Sequence, residues 1–481
     1  MRYNHTNVFF KNHLQIIFII ILFILINIFS IGFFKETLWD SSVYIGMGKY
    51  IYSSGKSGLW EPIRPLTLPL ILGLFWKIGL NPLIYGRILI LVLSIGVIII
   101  AYAVSTRLFD KQAAIAASII LSLSSLILNV SHEILVEIPA VFLLLLGFYS
   151  YILKKNFFAG IFFGLAFLTK FPTMIFLFVI LGTEIVLFLK PNINGYSERI
   201  RAIKHLVLAF VLTVFPYFLF NFIYYKDAFS PIKSAKYVID NVVGCTILNL
   251  KPAYYYIPLI LKDNPLHFFF IFGLMFTLSK MKHNSKLYVA QTIVYIAAFL
   301  VYFTSLACKT DRYPILALPF ISIITGYGIS SLFSKWNKSK KYSAFLLGIF
   351  VITISSVISA SNLINNAPHS KNAETYSYRT FNANGEILTT TPEITLYTDA
   401  ELNLIYYPLY GSAKVDYYVK YIKKNKQGIA YVVMNTEDIP CHPSDLECAD
   451  KTQEFIKFLK GNFRIIHYKK INYNEQFIFS Q

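Results

Sequence analysis

Charge is what this sequence has least of. Only 14% of its 481 residues are Asp, Glu, Lys or Arg, against roughly a quarter in soluble proteins, and this excludes an ordinary water-soluble globular chain. Acids are the scarcer sign, with 25 Asp and Glu against 44 Lys and Arg. Cysteine is scarce too: four residues, two of them in PCHPSDLEC (440–448), a stretch that matches no standard zinc spacing. No glycine-rich loop opens a strand–helix unit, which argues against a nucleotide-binding domain. No internal repeat of the kind common in secondary transporters is present.

What fills the chain is apolar. Hydrophobic residues make up 56% and aromatics 17%. The run LQIIFIIILFILINIFSIGFF (14–34) exceeds the ~20 residues needed to cross a bilayer core. It is too long for a signal peptide and no small-residue cleavage site follows it. The expected fold is an all-α polytopic membrane domain of about eleven transmembrane helices, plus a small extracytoplasmic α/β C-terminal domain. Spans are expected near 14–34, 84–106, 112–130, 137–153, 157–171, 173–189, 206–225, 266–279, 287–307, 314–333 and 342–361.

The net charge of +19 invites a nucleic-acid partner, but the basic residues sit in short loops between apolar runs. That is the positive-inside pattern of a membrane protein, so the expected environment is a lipid bilayer and not nucleic acid. Placing the N-terminus in the cytoplasm puts Arg107, Lys111, Lys154, Lys155, Arg199, Arg201 and Lys204 inside. The loop around His132 and Glu133, with no Lys or Arg, then lies outside. The segment LTLPLILGLFWKIGL (66–80) decides the assignment. Counted as a span it would send the basic loops outward. At fifteen residues, with Pro69 and Lys77 inside it, it reads as an interfacial or re-entrant helix. The first outer loop, 35–83, and the C-terminal tail then both face outward.

Two domains are expected: 1–361 in the membrane and 362–481 outside it. The polar stretch SNLINNAPHSKNAETYSYRTFNANGE (361–386) reads as the linker. After it, strand-like runs (EITLYTD, GIAYVVMN, FRIIHYKK, EQFIFS) alternate with the helical patterns AKVDYYVKYIKK and KTQEFIKFLKG. Cys441 and Cys448 are disulfide candidates, with free thiols or a metal set completed by His442 and Asp445 as alternatives.

Charges at membrane depth are costly, so each one is a functional candidate. On the outer side stand Asp40, Glu61, Glu133 and Glu137, with Arg64, Lys170, Lys309 and Arg312 as cations. Lys170 follows an apolar stretch of only about fourteen residues, roughly 21 Å of helix against a ~30 Å core. A buried ammonium there needs an anion. Either Glu133 or Glu137 supplies it, or the phosphate of a lipid-linked ligand does. Singly, each residue has a plain reading: Asp40 as a helix cap, Arg64 and Arg312–Tyr313 as interfacial anchors.

Their order along the chain resembles the GT-C superfamily of membrane glycosyltransferases, particularly the protein O-mannosyltransferases and the lipid A aminoarabinose transferases. Four stretches carry the resemblance: a long first outer loop with Asp40 and Tyr44, WEPIRP (60–65) before an apolar helix, GIFFGLAFLTKFP (160–172), and KTDRYPILALPF (309–320). Two features depart from it. Asp40 is followed by Ser41 where many relatives have a second acid, and Arg64–Pro65 is followed by Leu66 where many have a second proline.

The resemblance implies a polyprenyl-phosphate sugar donor and an unidentified protein, lipid or glycan acceptor, with the sugar moved at the extracytoplasmic face and with inversion. It implies Asp40 as general base and Arg64, Lys170 and Arg312 on the donor phosphate. Glu61, His132, Glu133 and Tyr313 would orient the sugar or acceptor, and Glu137 would pair with a buried cation. The residues leave a divalent cation open. Two rival classes stand beside this one. A transporter or lipid flippase predicts polar groups in mid-helix. A scaffold predicts that Asp40 is only a cap.

Overall fold

The computed structural model describes residues 3–34, 37–189, 196–248, 250–280, 285–333, 381, 385–471 and 474–481. The expected span at 342–361, most of the expected linker and the expected domain boundary at 361–362 lie outside them. In chain order the first helices are α1 (Tyr3–Ser30), α2 (Trp39–Tyr52), α3 (Thr67–Lys77), α4 (Pro82–Leu108), α5 (Lys111–Ser122), α6 (Ser125–Ser131), α7 (Glu137–Ile152), α8 (Asn156–Thr169) and α9 (Met174–Phe188). Then follow α10 (Tyr196–Tyr225), α11 (Ser230–Asn241), α12 (Tyr256–Asp263), α13 (Phe270–Lys280), α14 (Lys286–Ser305), α15 (Leu318–Phe333), α16 (Ser412–Asn425) and α17 (Cys448–Asn462). The chain divides into two compact units. One comprises residues 1–35, 87–228 and 252–367; the other comprises 36–86, 229–251 and 368–481.

The first unit is a multi-pass helical bundle. Among the described residues four helical stretches are long and apolar enough to cross a membrane alone: Pro82–Leu108, Phe171–Phe188, Tyr196–Tyr225 and Lys286–Ser305. Two bent pairs raise this to six, Lys111–Ser122 with Ser125–Ser131 (58°) and Tyr256–Asp263 with Pro265–Thr277 (116°). Other expected spans are short apolar helices: Leu14–Ser30, Glu137–Ile152, Asn156–Thr169 and Leu318–Phe333. At 1.5 Å per residue a sixteen-residue helix covers about 24 Å, less than a ~30 Å core. The expected count of eleven is therefore not established.

Small residues set the closest helix contacts, as they do where lipid gives apolar side chains no reason to leave it. On α8, Gly160 and Gly164 face α10. A Cβ at Gly160 would lie 2.2 Å from the Leu206 carbonyl oxygen, and one at Gly164 would lie 2.7 Å from Thr213 Cβ. The outward side of α10 carries Leu208, Val211, Leu212, Phe215 and Phe222, all exposed. Gly160→Leu is expected to lose about 1–3 kcal/mol of stability through forced separation of the two helices. Gly182→Ala, where nothing lies within 4 Å, should be near neutral. Thermal midpoints of the two variants in detergent measure the difference.

The second unit is built on a five-stranded mixed sheet. Its strands are β1 (Glu386–Thr389), β2 (Leu402–Leu404), β3 (Ile429–Asn435), β4 (Arg464–Ile471) and β5 (Asn474–Ser480), in the order β2-β1-β3-β5-β4. β1 runs parallel to β2 and β3; β5 runs antiparallel to β3 and β4. Side chains alternate between the two faces with a period of two. Leu388, Val432, Met434, Phe477 and Phe479 pack against α16 and α17 residues such as Val415, Tyr418, Phe455 and Leu459. Ile387, Val433 and Ile478 point the other way and meet Val43 and Met47 of α2 and Leu59 beyond it. A sheet buried on both faces explains why its central strands read as near-continuous apolar runs.

The segment between α1 and α4 thus contributes to the sheet's own core. Gly58, at φ +80°, bridges to Glu401, donating to the Ala400 carbonyl and accepting from Leu402 N–H. Glycine is required there because a Cβ would lie 2.1 Å from the Gly46 carbonyl oxygen. α3 packs on α2 through Gly48 and Gly73, where a Cβ on Gly48 would lie 2.6 Å from Gly73 N. Its eleven residues cover about 17 Å.

Cys441 and Cys448 are bonded to each other. The alternative metal set is not assembled: Asp445 accepts from Ser412 N–H at the start of α16, and His442 Nδ1 pairs with Ser444 Oγ. The Ser412 amide holds the Asp445 carboxyl below the usual carboxylate range.

Candidate active site

The charged residues singled out by sequence fall into two clusters, one in each unit. In the sheet-containing unit the cluster starts on α2. Leu38 occupies the N-cap position, without a side-chain cap bond, and Asp40 lies inside the first helical turn. The reading of Asp40 as the helix cap is thereby corrected. Its carboxylate benefits from the positive end of the helix dipole and meets Arg64, with Nη1 2.6 Å from Oδ1. Arg64 Nε also donates to Glu61 Oε2 at 3.0 Å, and its guanidinium faces the Tyr44 ring at 5.4 Å. Glu61 is buried, and its other oxygen accepts from Tyr406 O–H at 2.6 Å. Burial disfavours the Arg64 charge, but Asp40 first and Glu61 next hold its pKa well above the usual value. Two carboxylates thus share one guanidinium.

In the helical unit the signs reverse. Glu137 opens α7, buried to 1% exposure, again at a helix N-terminus. Its Oε1 lies 2.5 Å from Lys170 Nζ and 3.3 Å from Arg312 Nε. Lys170 stands where α8 stops: its backbone turns extended there and a short 3-10 turn containing Pro172 follows. Its ammonium also lies 4.8 Å from the centre of the Tyr313 ring. Arg312 heads the turn that leads into α15. Two cations thus lean on one oxygen of the same carboxylate. Glu137, one of the acids expected as a partner for Lys170, thus lies against it.

Arg312 also lines a cavity of about 510 Å³ with Ser125, Asn129, Tyr255, Lys262 and Asp263. Asp263 was not foreseen. It is buried at the end of α12, and its Oδ1 accepts from Ser124 Oγ, Ser125 Oγ and Leu126 N–H. It therefore caps α6 and ties the two bent helix pairs together. An acid set in LKDNP between apolar runs was the available signal.

His132 occupies a packed setting, stacked on Phe34 with ring centroids 4.3 Å apart and 2.9 Å from Ser30 Oγ through Nε2. Burial, and then the charge of Arg87, push its pKa down to about 4. Glu133 follows it in the same buried turn before α7. Among the described residues no group of three or more His, Cys, Asp or Glu is arranged to hold a metal ion. Asp40 and Glu61 converge on a guanidinium, a donor set that does not fit a resident divalent cation.

Comparison with known proteins follows this geometry. A family model described as dolichyl-phosphate-mannose-protein mannosyltransferase matches residues 63–220, a stretch that contains Arg64, Glu137 and Lys170 but neither Asp40 nor Arg312. The structure is similar to ArnT from Cupriavidus metallidurans bound to undecaprenyl phosphate, with a TM-score of 0.67 and 10% identity over 97% of this chain and 98% of that one. The chain has the GT-C glycosyltransferase fold.

The apo oligosaccharyltransferase of Archaeoglobus fulgidus shares the GT-C fold, with a TM-score of 0.60 and 11% identity over 89% of this chain and 70% of that one. The same enzyme in complex with an inhibitory peptide and a dolichol-phosphate gives a TM-score of 0.56 at 13% identity, over 88% and 69%. A comparison with curated proteins found no match. In resembling protein O-mannosyltransferases and ArnT, the chain agrees with the order of its motifs.

Proposed function

We propose that this chain is a membrane glycosyltransferase that moves a sugar from a polyprenyl-phosphate donor to an acceptor hydroxyl at the extracytoplasmic face. The observation that carries the reading is an acid held by a guanidinium in one cluster, Asp40 with Arg64, and two cations gathered at one carboxylate in the other, Lys170 and Arg312 with Glu137. Sugar transfer needs a base for the acceptor and a positive site for the leaving group. Asp40 takes the acceptor proton as the acceptor oxygen bonds to the anomeric carbon. The bond from that carbon to the phosphate oxygen breaks, and polyprenyl phosphate leaves with the electron pair. A single displacement of this kind inverts the anomeric centre.

The departing phosphate changes from a diester with one negative charge to a monoester with two. A site with surplus positive charge therefore binds the transition state better than the ground state, which is the condition for faster chemistry. Lys170 and Arg312, which both reach Glu137, are the cations that would supply it. Arg64 is committed to two carboxylates, so its principal role is to hold Asp40 ionised and oriented. Glu61 acts through Arg64, and Tyr313 acts through Lys170, whose ammonium faces its ring. The tethered sulfurs of Cys441 and Cys448 suit an oxidising compartment.

The family and fold neighbours support this reading, since the ArnT and oligosaccharyltransferase structures hold undecaprenyl phosphate and dolichol-phosphate respectively. The test uses the full chain in nanodiscs titrated with undecaprenyl phosphate. The native protein should bind it, and Lys170→Met should weaken binding about tenfold or more, as loss of a charged hydrogen bond of ~1.5–3 kcal/mol requires. Equal binding by both proteins would remove Lys170 from the phosphate site. A transporter or flippase would instead move polyprenyl-phosphate sugars across vesicles with the sugar–phosphate bond intact.

A further inference from the structure

Tyr406 lies in the C-terminal part of the chain, 345 positions from Glu61. Its hydroxyl donates to Glu61 Oε1 at 2.6 Å; Glu61 Oε2 accepts from Arg64 Nε at 3.0 Å; Arg64 Nη1 reaches Asp40 Oδ1 at 2.6 Å. Each link is a charge-assisted bond, the strong kind. The Tyr406 ring is fixed edge-on against Trp39, the residue before Asp40, with centroids 4.7 Å apart. Burial and then the Glu61 charge raise the Tyr406 pKa far above its usual value, so the hydroxyl keeps its proton and remains a donor.

The same segment is clamped to α2 independently. Lys49 donates to the carbonyls of Thr395 and Thr398 and pairs with Asp399 at 2.8 Å, and Thr395 Oγ1 donates to the Ser42 carbonyl. Ser57 Oγ and Trp76 Nε1 also bond Asp399. Helix α2, which carries Asp40, is therefore held by the segment that joins β1 to β2.

We infer that Tyr406 is a positioning residue for the reaction, setting the basicity of Asp40 through Glu61 and Arg64. This rests on Asp40 being the reacting base. Tyr406 draws charge from Glu61, and so leaves the Arg64 guanidinium to Asp40. Without the hydroxyl, Glu61 competes harder for Arg64, Asp40 loses part of its counter-ion, and its proton affinity rises. Neutralising Glu61 does the reverse, because Arg64 then serves Asp40 alone. Of the other groups facing this network, Tyr44 lies against the guanidinium and Asp438 acts on Tyr406 through its charge, and neither substitution touches them.

The test is an infrared pH titration of the carboxyl band in the full-length protein, assigned to Asp40 by its loss in Asp40→Asn. Tyr406→Phe should move the midpoint up by about one pH unit, a tenfold change in proton affinity. Glu61→Gln should move it down. Tyr421→Phe removes a hydroxyl bonded to Glu386 in the same unit and should leave it in place. Shifts of opposite sign cannot arise from general loosening of the fold. A midpoint unmoved in Tyr406→Phe, or moved the same way in both variants, overturns the relay. Because the readout is protonation and not turnover, these shifts in a protein inactive toward polyprenyl-phosphate sugars would sink the transferase reading and leave the relay standing.

Discussion

Asp40→Asn should slow sugar transfer by about 10²–10⁴-fold, the usual worth of a positioned general base, or roughly 3–5 kcal/mol of barrier. The substitution is nearly isosteric and keeps an oxygen for Arg64 Nη1 to reach. Arg64 would still be compensated by Glu61, 3.0 Å from its Nε, so no buried cation is orphaned and the fold should survive. Substrate binding should change little, because the donor phosphate is assigned to Lys170 and Arg312. The expected signature is a fall in kcat with nearly constant KM for the donor, read from the initial rate of polyprenyl phosphate release. A folded Asp40→Asn protein turning over at the native rate would remove Asp40 from the chemistry, and with it the reason for the guanidinium between two acids.

Much of this site was legible because the cost of charge in a membrane is so steep. Asp40, Glu61 and Arg64 fall within 25 positions of one another in a chain with few acids, so their meeting asked little of long-range folding. Lys170 needed an anion at its depth, and the sequence held only two candidates nearby. What could not be read were partnerships set by tertiary packing. Tyr406 stands in LIYYPLY, an apolar run that gives no sign of a carboxylate waiting 345 residues earlier. The bridge from Gly58 to Glu401 is equally silent, since a single glycine in a loop marks a turn as readily as a sheet contact.

Helix continuity was misread for a related reason. The 112–130 run contains no proline, yet it breaks at Ser124, where Asp263 from a distant helix caps the new start. Hydropathy sees the apolar total and not the cap. α11 and α12, of 12 and 8 residues, were passed over because neither reaches a membrane-spanning length.

Glu137 carries the other large expected effect, and on stability before activity. Lys170 and Arg312 both lean on its Oε1, and it is 1% exposed. Glu137→Gln takes from two cations the carboxylate they share. Breaking a buried ion pair by removing one partner costs about 3–5 kcal/mol, enough to lower the folded fraction sharply in a chemical denaturation series. Replacing a charge of the opposite sign should return part of that loss. The double variant Glu137→Gln with Lys170→Met removes one acid and one cation, and so keeps the native net charge. It should therefore be more stable than Glu137→Gln alone. Undecaprenyl phosphate offers the sharper comparison. An anionic ligand stabilises whatever it binds in the folded state, and it has more to gain where two cations have lost a shared carboxylate. The thermal midpoint of Glu137→Gln should accordingly rise more on adding the lipid phosphate than that of the native protein. If the lipid protects both equally, or protects neither, Lys170 and Arg312 pair with Glu137 for the fold alone, and the leaving group must find its counter-charge elsewhere.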